Sequence, residues 1–144
     1  MERLISGMQP STTEEWLSVA TARGADAEAV FEKHPGSIGS VYLMGYGVEC
    51  SIKAYLKATR RPFPTSGRAG HDLTALWRAS GFSKRDIQDK DGNKAFYFED
   101  WSTDLRYYTG GLRQLNHGEL LASAKKVVGW LHQQARREHG RGRR

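Results

Sequence analysis

The sequence predicts an all-α fold of four to five helices in one domain. Three observations carry that reading. Apolar residues recur at three- and four-residue spacing through long segments. Capping residues open those segments, and clusters of Gly and Pro close them. The chain of 144 residues can bury one core but is too short for two ordinary ones.

Taken in order, residues 1–11 read as a lead-in, and the helical domain spans 12–135. "STTEEW" offers Ser11 and Thr12 as N-caps with Glu14 and Glu15 three residues on, so a helix starts there. Trp16, Leu17, Ala20, Ala27, Val30 and Phe31 keep helical spacing until "HPGS" stops it. A second helix runs from about Ser37 to Thr59 and is closed by "RRPFPTSGRAG". "HDLTALWRASG" is a short third helix with Asp72 as N-cap and Gly81 at its end. "SKRDIQDKDGNK" reads as polar turn. Phe96, Tyr97 and Phe98 fit a strand or a helix, and the spacing of Trp101, Leu105 and Tyr108 favours helix beyond them. "TGGLRQLN" breaks the chain. The last helix opens with an Asn116-to-Glu119 cap and carries Leu120, Leu121, Ala124, Val127, Val128 and Leu131 on one stripe.

The second helix is the most informative. At 100° per residue, Ile38, Val41, Tyr42, Val48, Ile52, Tyr55 and Leu56 fall within about 80° of Gly45 and form a core face. The opposite face carries Leu43, Gly47, Cys50 and Ala54, small or apolar residues suited to close approach by another helix. Two mid-helix glycines cost roughly 1 kcal/mol each against alanine, which argues for tight packing on both sides. Glu49 lies inside the apolar arc and needs a partner, for which Lys53, one turn on, is placed. A dinucleotide fingerprint fails, because Cys50 stands where its third glycine belongs. A membrane span fails too, since only the fourteen residues 35–48 separate His34 from Glu49.

Composition sets further bounds. The single Cys50 has no partner for a disulfide within the chain, and "MERLISGMQP" lacks the pattern of an export signal, so the expected compartment is the cytoplasm. Net charge is +6, of which "RREHGRGRR", residues 136–144 with five Arg and one Glu, supplies +4. That segment reads as a solvated, disordered basic tail, with phosphate binding as the alternative. His34, His132 and His139 have no metal-ligand spacing, so neither a metal nor another cofactor is expected.

The segments "VYLMGYGVECSIKAYL", "GHDLTALW" and "LRYYTGGLRQLNHGELLASAKKVVGWL" together resemble the HEPN domains (higher eukaryotes and prokaryotes nucleotide-binding) in motif type, order and spacing. The resemblance covers roughly residues 12–134 and implies an all-α up-and-down bundle of four or five helices. It also implies a nucleotide- or RNA-associated binding module, a homodimer, within a toxin-antitoxin, defence or nucleotidyltransferase-linked system. The partner protein would be a nucleotidyltransferase or an effector. Many members resemble metal-independent ribonucleases in which an Arg and a His four to six residues apart meet across a dimer. Here Arg113 and His117 are separated by only "QLN", and Glu119 stands where one toxin subclass has a tyrosine.

Three functions therefore remain open. In a binding module, Arg106, Glu49, Lys53 and Tyr107 are the candidate nucleotide- or RNA-contacting residues. In a divergent ribonuclease, His117 would be the general acid or base and Arg113 or Arg106 would hold the phosphate. Arg106 and His117 would share a face if one helix ran through both. In a protein-interaction module, the face bearing Gly47 would recruit a partner. His71 and Asp72 read as structure, a local bond and a helix cap.

Overall fold

The computed structural model describes residues 9–112 and 114–141. Six α-helices form, α1 (Thr13–Lys33), α2 (Gly39–Ala58), α3 (Leu73–Ser80), α4 (Lys84–Ile87), α5 (Asn93–Glu99) and α6 (His117–Arg141). Two 3-10 turns, Ala69–His71 and Thr103–Tyr107, complete the regular structure, and no strand forms among the described residues. The fold is an all-α helical bundle.

Local chemistry sets most of the helix ends. At α1, the Thr12 hydroxyl accepts from the Glu15 amide at 3.1 Å, and Ser11 donates to the Glu15 carboxylate at 3.0 Å. Asp72 caps α3 through the Ala75 amide at 3.1 Å, and Gly81 ends that helix at φ 83°, a left-handed conformation suited to glycine. Asn116 accepts from the Glu119 amide at 2.9 Å at the start of α6. The end of α2 is less ordinary. The Arg60 amide donates to Lys57 O at 3.1 Å and the Arg61 amide to Leu56 O at 2.9 Å, a Schellman closure with Arg60, at φ 59°, where glycine is preferred.

Tertiary contacts explain the departures from the sequence reading. The Phe96–Phe98 segment is helical because the Asp89 carboxylate accepts from the Lys94 and Ala95 amides at 3.0 and 2.9 Å, and Asp91 accepts from Asn93 at 3.0 Å. Those acids sit in the stretch read as turn. The helix expected through Trp101 and Tyr108 is instead one 3-10 turn, opened by the Ser102 hydroxyl, with Trp101 turned back onto α2. At the other end, α6 continues to Arg141, so residues 136–141 of the expected tail form its last turns, with Arg141 paired to Glu138 at 3.0 Å.

α2 is the central rod. Val48, Ile52 and Leu56 are fully buried, each stabilising the fold by about 1.5–3 kcal/mol. On one side the Trp101 indole lies so close over Gly45 that a Cβ there would come within 1.9 Å of the ring. The indole also donates to Tyr42 O at 3.2 Å. On the other side Gly47 faces Ala20 and Gly24 of α1 at ordinary distances, and Cys50 and Ala54 pack with Trp16, Leu17 and Ala20. The helix is thus flanked on two opposing faces, as its pattern predicts.

Chain direction follows from two ends. The Ile38 amide bonds to Gly110 O at 3.2 Å and the His117 ring to Pro35 O at 3.1 Å, so α6 starts beside the α1–α2 turn. Ala135, far along α6, packs with Ala54 and Tyr55 near the end of α2. α2 and α6 therefore run in the same direction, α1 runs opposite, and the short helices make the return.

Candidate functional site

Two buried, oppositely charged side chains lie one turn apart on α2. Glu49 is 3% exposed and Lys53 is 1% exposed, and one helical turn brings Lys53 Nζ to Glu49 Oε2 at 3.0 Å. The second carboxylate oxygen lies 2.7 Å from Nδ1 of His71, in the 3-10 turn before α3. A carboxylate accepts, so Nδ1 carries the proton and donates to Glu49. That fixes the ring and leaves Nε2 as the other functional nitrogen, on a side chain about one-third exposed. The Trp16 ring covers the far side of Lys53, 5.1 Å from Nζ.

A wall of aromatics extends from this pair to the surface. Tyr46 meets the His71 ring edge to face at 5.7 Å, its hydroxyl lies 2.7 Å from that of Tyr42, and Trp101 stacks against Tyr42 at 6.1 Å. Burial, the Tyr42 hydroxyl and the charge of Glu49 hold the Tyr46 phenol well above its ordinary pKa, with Arg106 pulling the other way. Tyr46 therefore stays protonated and serves as a hydrogen-bonding group. Arg106, in the Thr103–Tyr107 turn, projects into solvent, and its guanidinium lies 4.9 Å over the Tyr107 ring. Tyr107 and Tyr108 are 70% and 54% exposed, the two most exposed large hydrophobic side chains among the described residues.

Of the candidate binding residues, Arg106 and Tyr107 lie at the surface beside this wall, whereas Glu49 and Lys53 lie behind it. Burial denies those two direct contact with a ligand. Their consequence is the orientation of His71. The local bond expected of His71 is corrected: its partner is 22 residues away on α2. Glu49 inside the apolar arc was the signal for a missing partner, but nothing in the sequence pointed to His71.

His117 is built differently. It is 8% exposed; Nδ1 lies 3.1 Å from Pro35 O, and Nε2 accepts from the Leu112 amide at 3.0 Å. With Nδ1–H donating to the carbonyl, both ring nitrogens of the neutral imidazole are used. The ring pins the 110s loop to the α1–α2 turn. To accept a proton it must first release Leu112. Arg113, its expected companion, lies outside the described residues. Arg106 and His117 do not share a helical face, because residues 108–112 and 114–116 are not helical.

The face bearing Gly47, Cys50 and Ala54 is filled by α1 of the same chain, which corrects the expectation that it recruits a partner. A homodimer must use another surface. The Cys50 thiol is pushed up to about 12 by burial, with Glu49 adding to the shift and Lys53 opposing it, so it is not a nucleophile at neutral pH. No three potential metal-ligating side chains gather among the described residues, and no helix among them is long and apolar enough to cross a membrane. The chain matches no family profile, no curated protein and no solved structure.

Proposed function

We propose that the protein is a helical binding module for RNA or nucleotides of the HEPN type, reading its ligand at the surface formed by His71, Tyr46, Arg106 and Tyr107. One observation carries this reading: a buried Lys53–Glu49 pair orients a part-exposed histidine against Tyr46, whose phenol feels the charge of the exposed Arg106. Arg106 supplies charge for a phosphate, Tyr107 a face for a base, and His71 a fixed donor or acceptor. The setting that fits is a toxin-antitoxin, defence or nucleotidyltransferase-linked system. There the protein acts as a homodimer or beside a nucleotidyltransferase or effector.

Fluorescence anisotropy with a labelled single-stranded RNA, repeated at two salt concentrations, tests it. Tyr107→Ala should weaken binding by about 1–3 kcal/mol, the usual worth of one base–aromatic stack. Arg106→Ala should weaken binding and flatten its salt dependence. Equal affinity for both variants and the parent protein defeats the reading.

The carboxylate-oriented His71 also favours a second reading, metal-free RNA cleavage in which His71, rather than His117, accepts the 2′-hydroxyl proton. Incubation with RNA in chelator separates the two: cleavage lost in His71→Gln and retained in His117→Ala supports the second, and no cleavage by the parent protein ends it.

A further inference from the structure

A cavity of about 830 Å³ lies at the other end of α2 from the aromatic wall. That volume falls within the roughly 300–1,000 Å³ common for small-molecule sites. Lys57, Arg60 and Arg61 line it together with Trp16, Pro62 and Phe63, the Trp16 and Phe63 rings edge to face at 5.9 Å. No carboxylate occurs among its described lining residues. Glu15, on the first turn of α1, is held by the Ser11 hydroxyl. Cations and aromatics lining one cavity fit an anion that carries an apolar group.

One detail separates this cavity from a chance cluster of surface cations. Arg61 is anchored: its Nη1 donates to Ser80 O and, at 3.3 Å, to Ala79 O at the end of α3, so the guanidinium is fixed at the rim before any ligand arrives. Arg60 sits at the left-handed position of the α2 closure, where a side chain is strained and glycine would relieve it. Replacing it by glycine therefore removes the guanidinium without straining the backbone.

We propose that this cavity is a binding site for a small phosphomonoester bearing a flat apolar group, with Arg60 and Lys57 on the phosphate and Phe63 against the apolar part. It shares no residue with the Arg106 surface, so the two readings stand or fall separately. The test is calorimetric titration of the full chain with phenyl phosphate, inorganic phosphate and phenol, together with thermal melting. Phenyl phosphate should bind at least about tenfold more tightly than either fragment alone. Arg60→Gly should lower that affinity about tenfold or more by removing a charge-assisted contact, while the melting temperature holds or rises. Arg106→Ala should leave it unchanged. Unchanged affinity in Arg60→Gly, equal affinity for phenyl phosphate and inorganic phosphate, or no heat from any of the three would overturn the proposal.

Discussion

Two histidines at the two ends of the 3-10 and loop segments show opposite uses of the same side chain. His117 is closed: both nitrogens serve the backbone, at Pro35 and Leu112, and the ring acts as a latch between loops. His71 is open: one nitrogen is committed to a buried carboxylate, and the side chain stays about one-third exposed. A satisfied imidazole stabilises a turn, whereas a half-satisfied one that is rigidly held can meet a ligand. Sequence position favoured His117, because it stands near an arginine. Geometry favours His71.

The largest effect should come from the pair behind His71. Lys53→Met leaves Glu49 buried with one partner fewer and should cost about 3–5 kcal/mol in urea denaturation. Glu49→Leu combined with Lys53→Met removes both charges and should recover most of that loss, since well-packed apolar replacements of buried pairs are often neutral. The double variant should still lose ligand binding, because His71 is no longer oriented. Full binding by a stable double variant breaks the contrast between the two histidines.

Next in size is the support of the aromatic wall. Gly45→Ala drives a methyl into the Trp101 indole and should destabilise the fold by about 1–3 kcal/mol. Gly47→Ala, where the nearest contact is an ordinary 3.5 Å, should instead gain up to about 1 kcal/mol of helix propensity. Both are read from denaturation midpoints, and opposite signs are expected. His117→Ala should cost a comparable 1–3 kcal/mol, roughly, by leaving the Leu112 amide and the Pro35 carbonyl without the ring. Its affinity for RNA, measured by anisotropy, should equal that of the parent.

The smallest effect calibrates the comparison with a third ring. Burial, and then the Arg136 charge, lower the pKa of His132 below its ordinary 6.5, while Glu14 opposes the shift. The unfolded chain then binds a proton that the folded one refuses. This stabilising contribution is present above pH 6.5 and is lost as pH falls below it. His132→Gln should flatten the slope of stability against pH in that range.

Much of the fold was legible because its signals are local. Thr12, Asp72 and Asn116 act within three residues of the amides they serve, Gly81 ends α3 by its own backbone conformation, and Glu49 and Lys53 meet by helical spacing alone. The parts that were not legible depend on contacts that reach beyond one helical turn. Asp89 caps α5 from a stretch that reads as turn, Trp101 leaves its helical spacing to lie over Gly45, and His71 reaches Glu49 only because α3 packs on α2. Arg60 showed no signal either, since nothing in "TRRP" says which arginine will take the left-handed position. Half of the candidate site was therefore visible as residue types, while its connection into one surface needed coordinates.

The depth of α2 has a consequence for how the protein opens. Its amides from Met44 to Leu56 are enclosed by α1, α3 and α6, so they can exchange with deuterated solvent only when the bundle comes apart as a whole. They should be the slowest in the molecule and report its global unfolding free energy. The Thr103–Tyr107 turn at the surface, by contrast, should exchange early and leave that number untouched.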